Sequence, residues 1–163
     1  MTVQDFNNCV DKYSDGVYRF IVKNIGHDAD AQDIVQTAFE KLWVNREKVE
    51  SDKAKSYLFT VAYHQMIDHI RKDKKMSTTD NFEEVKGHST TSANAELKQI
   101  LLRAINELNP TQKSLVLLKD YEGYSYQEIA EIMNLSESQV KVYLHRARLI
   151  LKGKLIHLEK MSA

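Results

Sequence analysis

The sequence is poor in the residues that form cross-links and turns: it has one cysteine, one proline and five glycines among its 163 residues. The single Cys9 excludes an internal disulfide and a zinc finger built on cysteines, and its place on an apolar helical stripe predicts a buried thiol. So little proline and glycine, together with 28% charged residues, is typical of a helix-rich protein in a reducing environment.

Long apolar runs and targeting signals are missing as well. No run of about 18 apolar residues occurs, so no membrane insertion is expected. The opening residues MTVQDFNNCVDKY lack the basic and apolar regions of a signal peptide. These absences together predict a cytoplasmic location.

Motifs for catalysis and metal binding are also absent. The sequence has no glycine-rich loop for phosphate, and its six histidines follow neither HExxH nor another metal-binding spacing. We therefore expect no metal, no cofactor and no enzymatic activity.

A net charge of zero hides an uneven distribution of charge along the chain. Residues 76–134 carry 5 basic and 9 acidic side chains, whereas residues 135–163 carry 6 basic and 2 acidic ones. A basic C-terminal segment behind an acidic one indicates local contact with a polyanion.

Helical periodicity dominates the rest of the sequence. Apolar residues recur at helical spacing from about Val3 to Ile25, from Asp28 to Arg46 and from Asp52 to Lys75, and the pattern resumes near Ala95. No segment has a convincing strand pattern. The sequence therefore predicts an all-α fold.

The stretch 76–94 interrupts this periodicity. It is rich in Ser, Thr, Asn and Asp and has no apolar period, which is typical of a linker. We predict two small helical domains, residues 1–75 and residues 95–163, joined by a flexible linker at 76–94.

Several predicted helix ends carry the residues that start or stop helices. Glycine suits the position after a C-terminus, proline suits the first turn, and Ser followed three residues later by Glu or Gln forms a capping box. These signals are Gly26, Asn109 with Pro110, Ser125 with Glu128, and Ser136 with Gln139.

The last two predicted helices have the pattern of a helix-turn-helix unit. In the stretch NLSESQVKVYLHRARLIL, residues 134–151, one apolar stripe is formed by Val140, Leu144, Ala147 and Leu151. In such a unit the second helix enters the major groove and its early residues meet base edges. A basic, solvated helix of an all-α bundle also fits the stripe, but the capping signals and the charge distribution favour DNA binding.

A DNA-binding helix here implies distinct roles for its polar residues. Lysine hydrogen-bonds guanine, a valine methyl meets thymine, and arginine holds phosphates. On this interpretation the groove-facing residues are Ser138, Lys141, Val142 and His145, and the phosphate contacts are Arg146 and Arg148.

The segment that starts at Leu108 resembles the domain of extracytoplasmic-function (ECF) sigma factors, in the sigma-70 family, that reads the promoter −35 element (region 4). Its motifs EGYSYQEIA and LHRAR occur in that family's order. In the N-terminal half, DAQDIVQTAFEKLW and KSYLFTVAYHQMIDHIRKDKK resemble region 2. The resemblance covers nearly the whole chain. It implies an alternative sigma factor that binds core RNA polymerase, recognises the −35 and −10 elements and promotes DNA melting.

The resemblance also implies a surface for polymerase. In the family, the helix that matches DAQDIVQTAFEKLW docks on the clamp helices of the largest polymerase subunit. A plain solvent-facing helix explains the same polarity, and Trp43 is expected in the core. The matching polymerase-binding positions are Asp33, Gln36, Glu40 and Lys41.

The next segment implies contacts with the −10 element. Aromatic side chains hold unstacked bases and basic side chains hold phosphates. The implied residues are Tyr63, His64, Arg71, Lys72, Lys74 and Lys75. Relatives usually have Asn at His64, and imidazole lacks the paired donor and acceptor of an amide, which affects the −10 base preference.

A second departure lies in the stretch VKVYL, where relatives often have VKSRL. Val142 and Tyr143 replace Ser and Arg, which removes polar groups near DNA. We expect a degenerate −35 requirement and help from a second DNA-targeting factor, or else strict reading of different bases.

Two other classes of function remain open. A helix-turn-helix regulator that never joins polymerase needs a sensing domain, and none is visible in the N-terminal half. A helical adaptor would have no DNA role. Many relatives are held by an anti-sigma factor, which the resemblance makes a further expected partner.

Overall fold

The structure, a computed structural model, describes residues 1–76 and 93–162, without the side chains of residues 75, 76, 93 and 162. Within these ranges the chain forms α-helices and no strand, which confirms the predicted all-α class. The α-helices are α1 (Val3–Ile25), α2 (Asp28–Val44), α3 (Ala54–Met76), α4 (Ala93–Asn106), α5 (Pro110–Val116), α6 (Tyr126–Met133) and α7 (Glu137–Ser162).

The described residues group into two compact units. The first contains residues 1–76 and 130–135, and the second contains residues 93–129 and 136–162. The predicted linker at 76–94 lies almost wholly outside the described residues, so its boundaries stay a prediction.

The first unit has a core between its three long helices, which pack against one another in pairs. Phe20 of α1 and Phe59 of α3 are fully buried, with ring centroids 5.8 Å apart. Leu42 of α2 and Leu58 and Met66 of α3 complete this core without any exposed surface. Each such burial contributes about 1.5–3 kcal/mol, so the orientation of α2 and α3 is firmly fixed.

Helix α1 begins and ends at strong local signals. Thr2 and Asp5 form a capping box in which each backbone N–H donates to the other residue's side chain, at 2.9 and 3.0 Å. The predicted stop at Gly26 is confirmed: it has φ 72°, a left-handed conformation that favours glycine, and its N–H donates to the Val22 carbonyl at 2.9 Å.

The limits of the next two helices differ slightly from the prediction. Helix α2 ends at Val44. Asn45 is its C-cap residue, and the side-chain amide of Asn45 donates to the Lys41 carbonyl at 2.9 Å. Helix α3 begins at Ala54 and not at Asp52, because a separate 3-10 turn occupies Ser51–Lys53.

The predicted caps of the second unit are confirmed. Asn109 caps α5 with Pro110 in the first turn, and Gln112 completes a capping box that was not predicted. Ser125 and Glu128 form the box at the start of α6, with both hydrogen bonds at 3.1 Å.

The helix that starts at Pro110, as its cap signal predicts, is not regular along its whole length. Helix α5 ends at Val116 and continues as a π-helical turn over Leu117–Tyr121. The Glu122 N–H donates to the Leu117 carbonyl at 2.9 Å, which closes the wider turn. Such turns carry one residue more than an α-turn and are frequent at functional sites.

Two further expectations have opposite outcomes. Cys9 is buried as predicted, and this burial raises the pKa of its thiol. Trp43 is not in the core: 37% of its surface is exposed, so that expectation is wrong.

None of the described helices has the length and hydropathy of a membrane span.

Candidate nucleic-acid and polymerase interfaces

Helix α7 has a fixed start and a buried apolar stripe, as predicted. The Ser136 N–H donates to the Gln139 side chain at 2.9 Å, and the Gln139 N–H donates back to the Ser136 hydroxyl at 3.1 Å. Just before this box, Asn134 adopts a left-handed backbone with φ 54°, which ends α6 in a tight turn. The stripe is buried along its whole length at Val140, Leu144, Ala147 and Leu151.

Three of the predicted groove-facing residues form one exposed line along α7. Ser138, Val142 and His145 lie at i, i+4 and i+7, the spacing that places side chains on one helix face. All three are exposed, and Val142 has 47% of its surface accessible. Leu149 continues the line and is 56% exposed.

Lys141, the fourth predicted groove residue, turns toward an aromatic ring. Its Nζ lies 5.4 Å from the centroid of Tyr126, at the start of α6. Lys119 of the π-helical turn lies over the same ring at 4.5 Å, and its Nζ donates to the Tyr124 carbonyl at 3.1 Å. Tyr126 therefore gathers two ammonium groups from separate elements.

Arg148, a predicted phosphate contact, is engaged within the protein. Its guanidinium donates to both carboxylate oxygens of Asp120, with Nη2–Oδ1 at 2.5 Å and Nε–Oδ2 at 3.2 Å. The hydrogen bond to Asp120 raises the already high pKa of Arg148. Arg146 is exposed and forms no ion pair with any residue in the described ranges, so the two arginines have different environments.

The predicted −10 residues of α3 separate into a buried member and an exposed group. Tyr63 is only 8% exposed, and its ring centroid lies 5.8 Å from that of His64. The side chain of Lys75 lies outside the described residues. The exposed members of the set are His64, Arg71, Lys72 and Lys74.

The predicted polymerase face of α2 is exposed throughout. Asp33, Gln36, Glu40 and Lys41 all lie on the solvent side of the helix. Gln36 Nε2 donates to Glu40 Oε1 at 3.1 Å, which joins two of the four polar side chains.

An apolar groove of about 520 Å³ borders this polar face. Phe6 of α1 meets Trp43 edge-on at 5.0 Å and Phe39 at 6.4 Å between ring centroids. Val44, which is 75% exposed, closes the groove beside Gln36 and Glu40. This surface was not predicted from the sequence, although Phe39 and Trp43 lie four residues apart on α2, a spacing that places both rings on one face.

A polar cluster lies between α2 and α3. His69 Nε2 is 3.4 Å from an oxygen of Asp30 and 3.3 Å from one of Asp73, and it is shielded from solvent. The described residues contain no group of side chains arranged to hold a metal ion.

Two sigma-factor family models match this chain. The model for sigma-70 region 2 matches residues 9–76, and the model for sigma-70 region 4 matches residues 98–151. The two matches follow the order in which the sequence resemblance placed them.

Curated relatives are similar over most of their length. The ECF RNA polymerase sigma factor SigM of Bacillus subtilis (strain 168) is 30% identical over 147 residues, which span 86% of this chain and 89% of that protein. SigW of the same organism is 27% identical over 165 residues, spanning 92% of this chain and 88% of that protein.

Solved structures have the same fold. The sigma factor RpoE of Bartonella quintana, in complex with the anti-sigma factor NepR, matches with a TM-score of 0.78 and 25% identity, over 94% of this chain and 98% of that one. CnrH, in complex with the cytosolic domain of CnrY, matches with a TM-score of 0.70 and 19% identity, over 93% and 88% of the two chains. This chain belongs to the ECF RNA polymerase sigma factors of the sigma-70 family.

Proposed function

We propose that this chain is an alternative sigma factor: it binds core RNA polymerase, recognises promoter −35 and −10 elements and promotes DNA melting. The observation that carries the proposal is the presence of both sigma regions in one chain, at residues 9–76 and 98–151. A regulator that acts without polymerase needs a helix-turn-helix but has no use for region 2. The protein then acts as an initiation factor, not an enzyme, and works in the cytoplasm with polymerase.

The proposed division of labour follows the two predicted domains. Residues 1–75 dock on polymerase and act on the −10 element, residues 95–163 act on the −35 element, and residues 76–94 link them. The two-unit grouping of the described residues supports this division except at residues 130–135, which group with the first unit.

The proposed polymerase surface is the exposed face of α2. Asp33, Gln36, Glu40 and Lys41 supply its polar part, and the neighbouring groove at Phe39 and Trp43 supplies an apolar part. Protein interfaces combine an apolar centre with a polar rim, and tryptophan is among the residues that contribute most to binding.

The proposed −10 surface is the exposed basic end of α3. Arg71, Lys72 and Lys74 face solvent and suit the phosphates of a separated strand. His64 is exposed and Tyr63 is buried, so the His64 ring is the better placed of the two to contact an unstacked base. The buried Tyr63 ring packs beside the His64 ring, with the two centroids 5.8 Å apart.

The proposed −35 surface is the start of α7. Ser138, Val142 and His145 form the line that faces base edges, and Arg146 on the adjacent face is placed for a phosphate. Lys141 and Arg148 complete the predicted set, although both have partners within the protein.

Protein partners beyond polymerase form part of the proposal. The structure of RpoE with the anti-sigma factor NepR supports an anti-sigma partner for this chain as well. The loss of polar groups at Val142 and Tyr143 supports a second DNA-targeting factor that compensates for weak −35 reading.

Transcription from purified components tests the proposed function. Core polymerase with this protein should elute together in gel filtration and should start transcripts at defined sites on a genomic DNA library, whereas core polymerase alone should not. Promoter binding by this protein without any complex with polymerase would favour the independent regulator. Failure to form a complex and to bind DNA would favour the adaptor.

A further inference from the structure

We propose that Val142 selects a thymine in the −35 element through contact with its 5-methyl group. This inference rests on the proposed function and deepens it, because it names the base that one residue reads. It starts from the exposed line of α7, in which Val142 lies between Ser138 and His145 with 47% of its surface accessible.

Two of the cations beside this line, Lys141 and Arg148, have partners within the protein. Lys141 Nζ lies 5.4 Å from the Tyr126 ring centroid. Arg148 donates hydrogen bonds from Nε and Nη2 to the two carboxylate oxygens of Asp120. A hydrogen bond from Lys141 to guanine would have to replace its contact with Tyr126. The exposed line can meet bases without such a change, and Val142 is the apolar residue between Ser138 and His145 in it.

The chemistry of an isopropyl group then decides which base it accepts. In the major groove, the edges of guanine, adenine and cytosine present donors and acceptors, and only thymine adds a methyl group. A polar edge that loses water against Val142 gains no hydrogen bond in return, which is unfavourable. The same contact with a thymine methyl buries apolar surface on both sides, which is favourable.

The neighbours of Val142 restrict where the thymine lies. Ser138 is one turn before Val142 and His145 is one turn after it, and both carry groups that hydrogen-bond base edges. The thymine is therefore expected inside the −35 element, flanked on both sides by positions that polar side chains contact.

Replacement of single thymines by deoxyuridine tests the inference, because uracil lacks only the methyl group. Templates are first selected from a library with a randomised −35 element, by transcription with core polymerase and the full-length protein. Each thymine of a selected −35 element, on either strand, is then changed to deoxyuridine. One position should lose about 4-fold in transcription at limiting protein, the factor expected for one buried methyl group.

Variants at two exposed positions of the same helix face locate the effect. Val142→Ala should remove most of the preference for thymine over deoxyuridine at that position. Leu149→Ala, which shortens another exposed aliphatic side chain of the line, should keep the preference. Circular dichroism should give equal helical content for both variants, since both residues lie on the surface.

Two results would overturn the inference while the proposed function stands: no thymine is sensitive to loss of its methyl group, or Val142→Ala keeps the full preference. Absence of promoter-specific transcription from every selected template would instead refute the proposed function, and this inference with it.

Discussion

Arg148 of α7 and Asp120 of the π-helical turn form a two-point ion pair, with Nη2–Oδ1 at 2.5 Å and Nε–Oδ2 at 3.2 Å. The pair joins residues 28 positions apart in the sequence. It takes up the fork of hydrogen-bond donors that arginine otherwise offers to a phosphate.

The first prediction is that Asp120→Asn increases the affinity of the holoenzyme for DNA of any sequence. The substitution releases Arg148 and removes a negative charge, so the salt dependence of binding should become steeper by about one phosphate contact. Filter binding at several salt concentrations measures this slope. Glu96→Gln, an equal charge change on α4, is the control, and Arg148→Ala should abolish the gain.

An unchanged slope in Asp120→Asn, with affinity altered only for one sequence, would contradict this prediction. In that case the ion pair between Arg148 and Asp120 only stabilises the fold. Because both side chains are more than a third exposed, the pair should contribute no more than about 1 kcal/mol to the free energy of unfolding.

The second prediction concerns the polymerase face of α2. Reversal of charge at Asp33 and Glu40, as Asp33→Lys with Glu40→Lys, should weaken binding to core polymerase at least 10-fold, on the order of the loss for charged pairs at interfaces. Reversal at two exposed acidic residues of α1, Asp11 and Asp15, supplies the matched control. Equal affinity of both double variants, with normal helical content, would remove α2 from the interface.

The third prediction concerns the −10 base preference. His64→Asn restores the residue that is usual in related sequences, and an amide offers a donor and an acceptor side by side where imidazole does not. Selection from a library with a randomised −10 element should enrich a different base at one position for the variant. Identical enriched sequences would place His64 away from the base that is read.

The fourth prediction is a pH dependence of stability that arises from Lys113. Its side chain is 4% exposed, and burial lowers its pKa from the ordinary value of 10.5 to about 8. Between these two pKa values the unfolded chain binds more protons than the folded chain. Burial of Lys113 therefore costs stability in full below pH 8, and the free energy of unfolding should rise between about pH 8 and 10.5.

Urea unfolding of Lys113→Met measures this effect. The variant should be more stable than the wild type near pH 7, by a few kcal/mol at most, since a shift of one pKa unit corresponds to about 1.4 kcal/mol. The difference should shrink as the pH approaches 10.5. A difference that stays constant with pH would mean that the Lys113 ammonium is not destabilised by burial.

The fifth prediction pairs two glycines of the second unit. A Cβ at either Gly153 or Gly123 would meet no other atom within 4 Å, so space does not distinguish them. Gly153 lies inside α7, and Gly153→Ala should raise the free energy of unfolding by about 1 kcal/mol. Gly123 has φ +73°, and Gly123→Ala should lower it by about 1 kcal/mol. Equal effects of the two substitutions in chemical denaturation would refute this backbone argument.

Features that depend on neighbouring residues in the chain were predictable from the sequence. The capping boxes at Ser125 and Ser136 involve partners only three residues away, and the buried stripe of α7 follows from its period. The stop at Gly26 is also local, because it depends on the left-handed backbone of one residue.

Features that depend on distant contacts were not predictable. Nothing near Lys141 in the sequence indicates that Tyr126, in the preceding helix, attracts its ammonium group. The sequence around Arg148 likewise does not indicate Asp120 as its partner. Trp43 was expected in the core because tryptophan is usually buried, whereas Phe6 and Arg46 stabilise it at the surface of a groove.

The π-helical turn at Leu117–Tyr121 gives this part of the chain an unusual sensitivity to length. It holds one residue more than an α-turn, and Lys119 and Asp120, which contact Tyr126 and Arg148, both lie inside it. Loss of a single residue here would let the turn revert to α-geometry, which removes the extra residue and leaves the residues beyond the turn close to their present orientation. A one-codon deletion would therefore act on Lys119 and Asp120 inside the turn, and so on their contacts with Tyr126 and Arg148, while α5 stays intact.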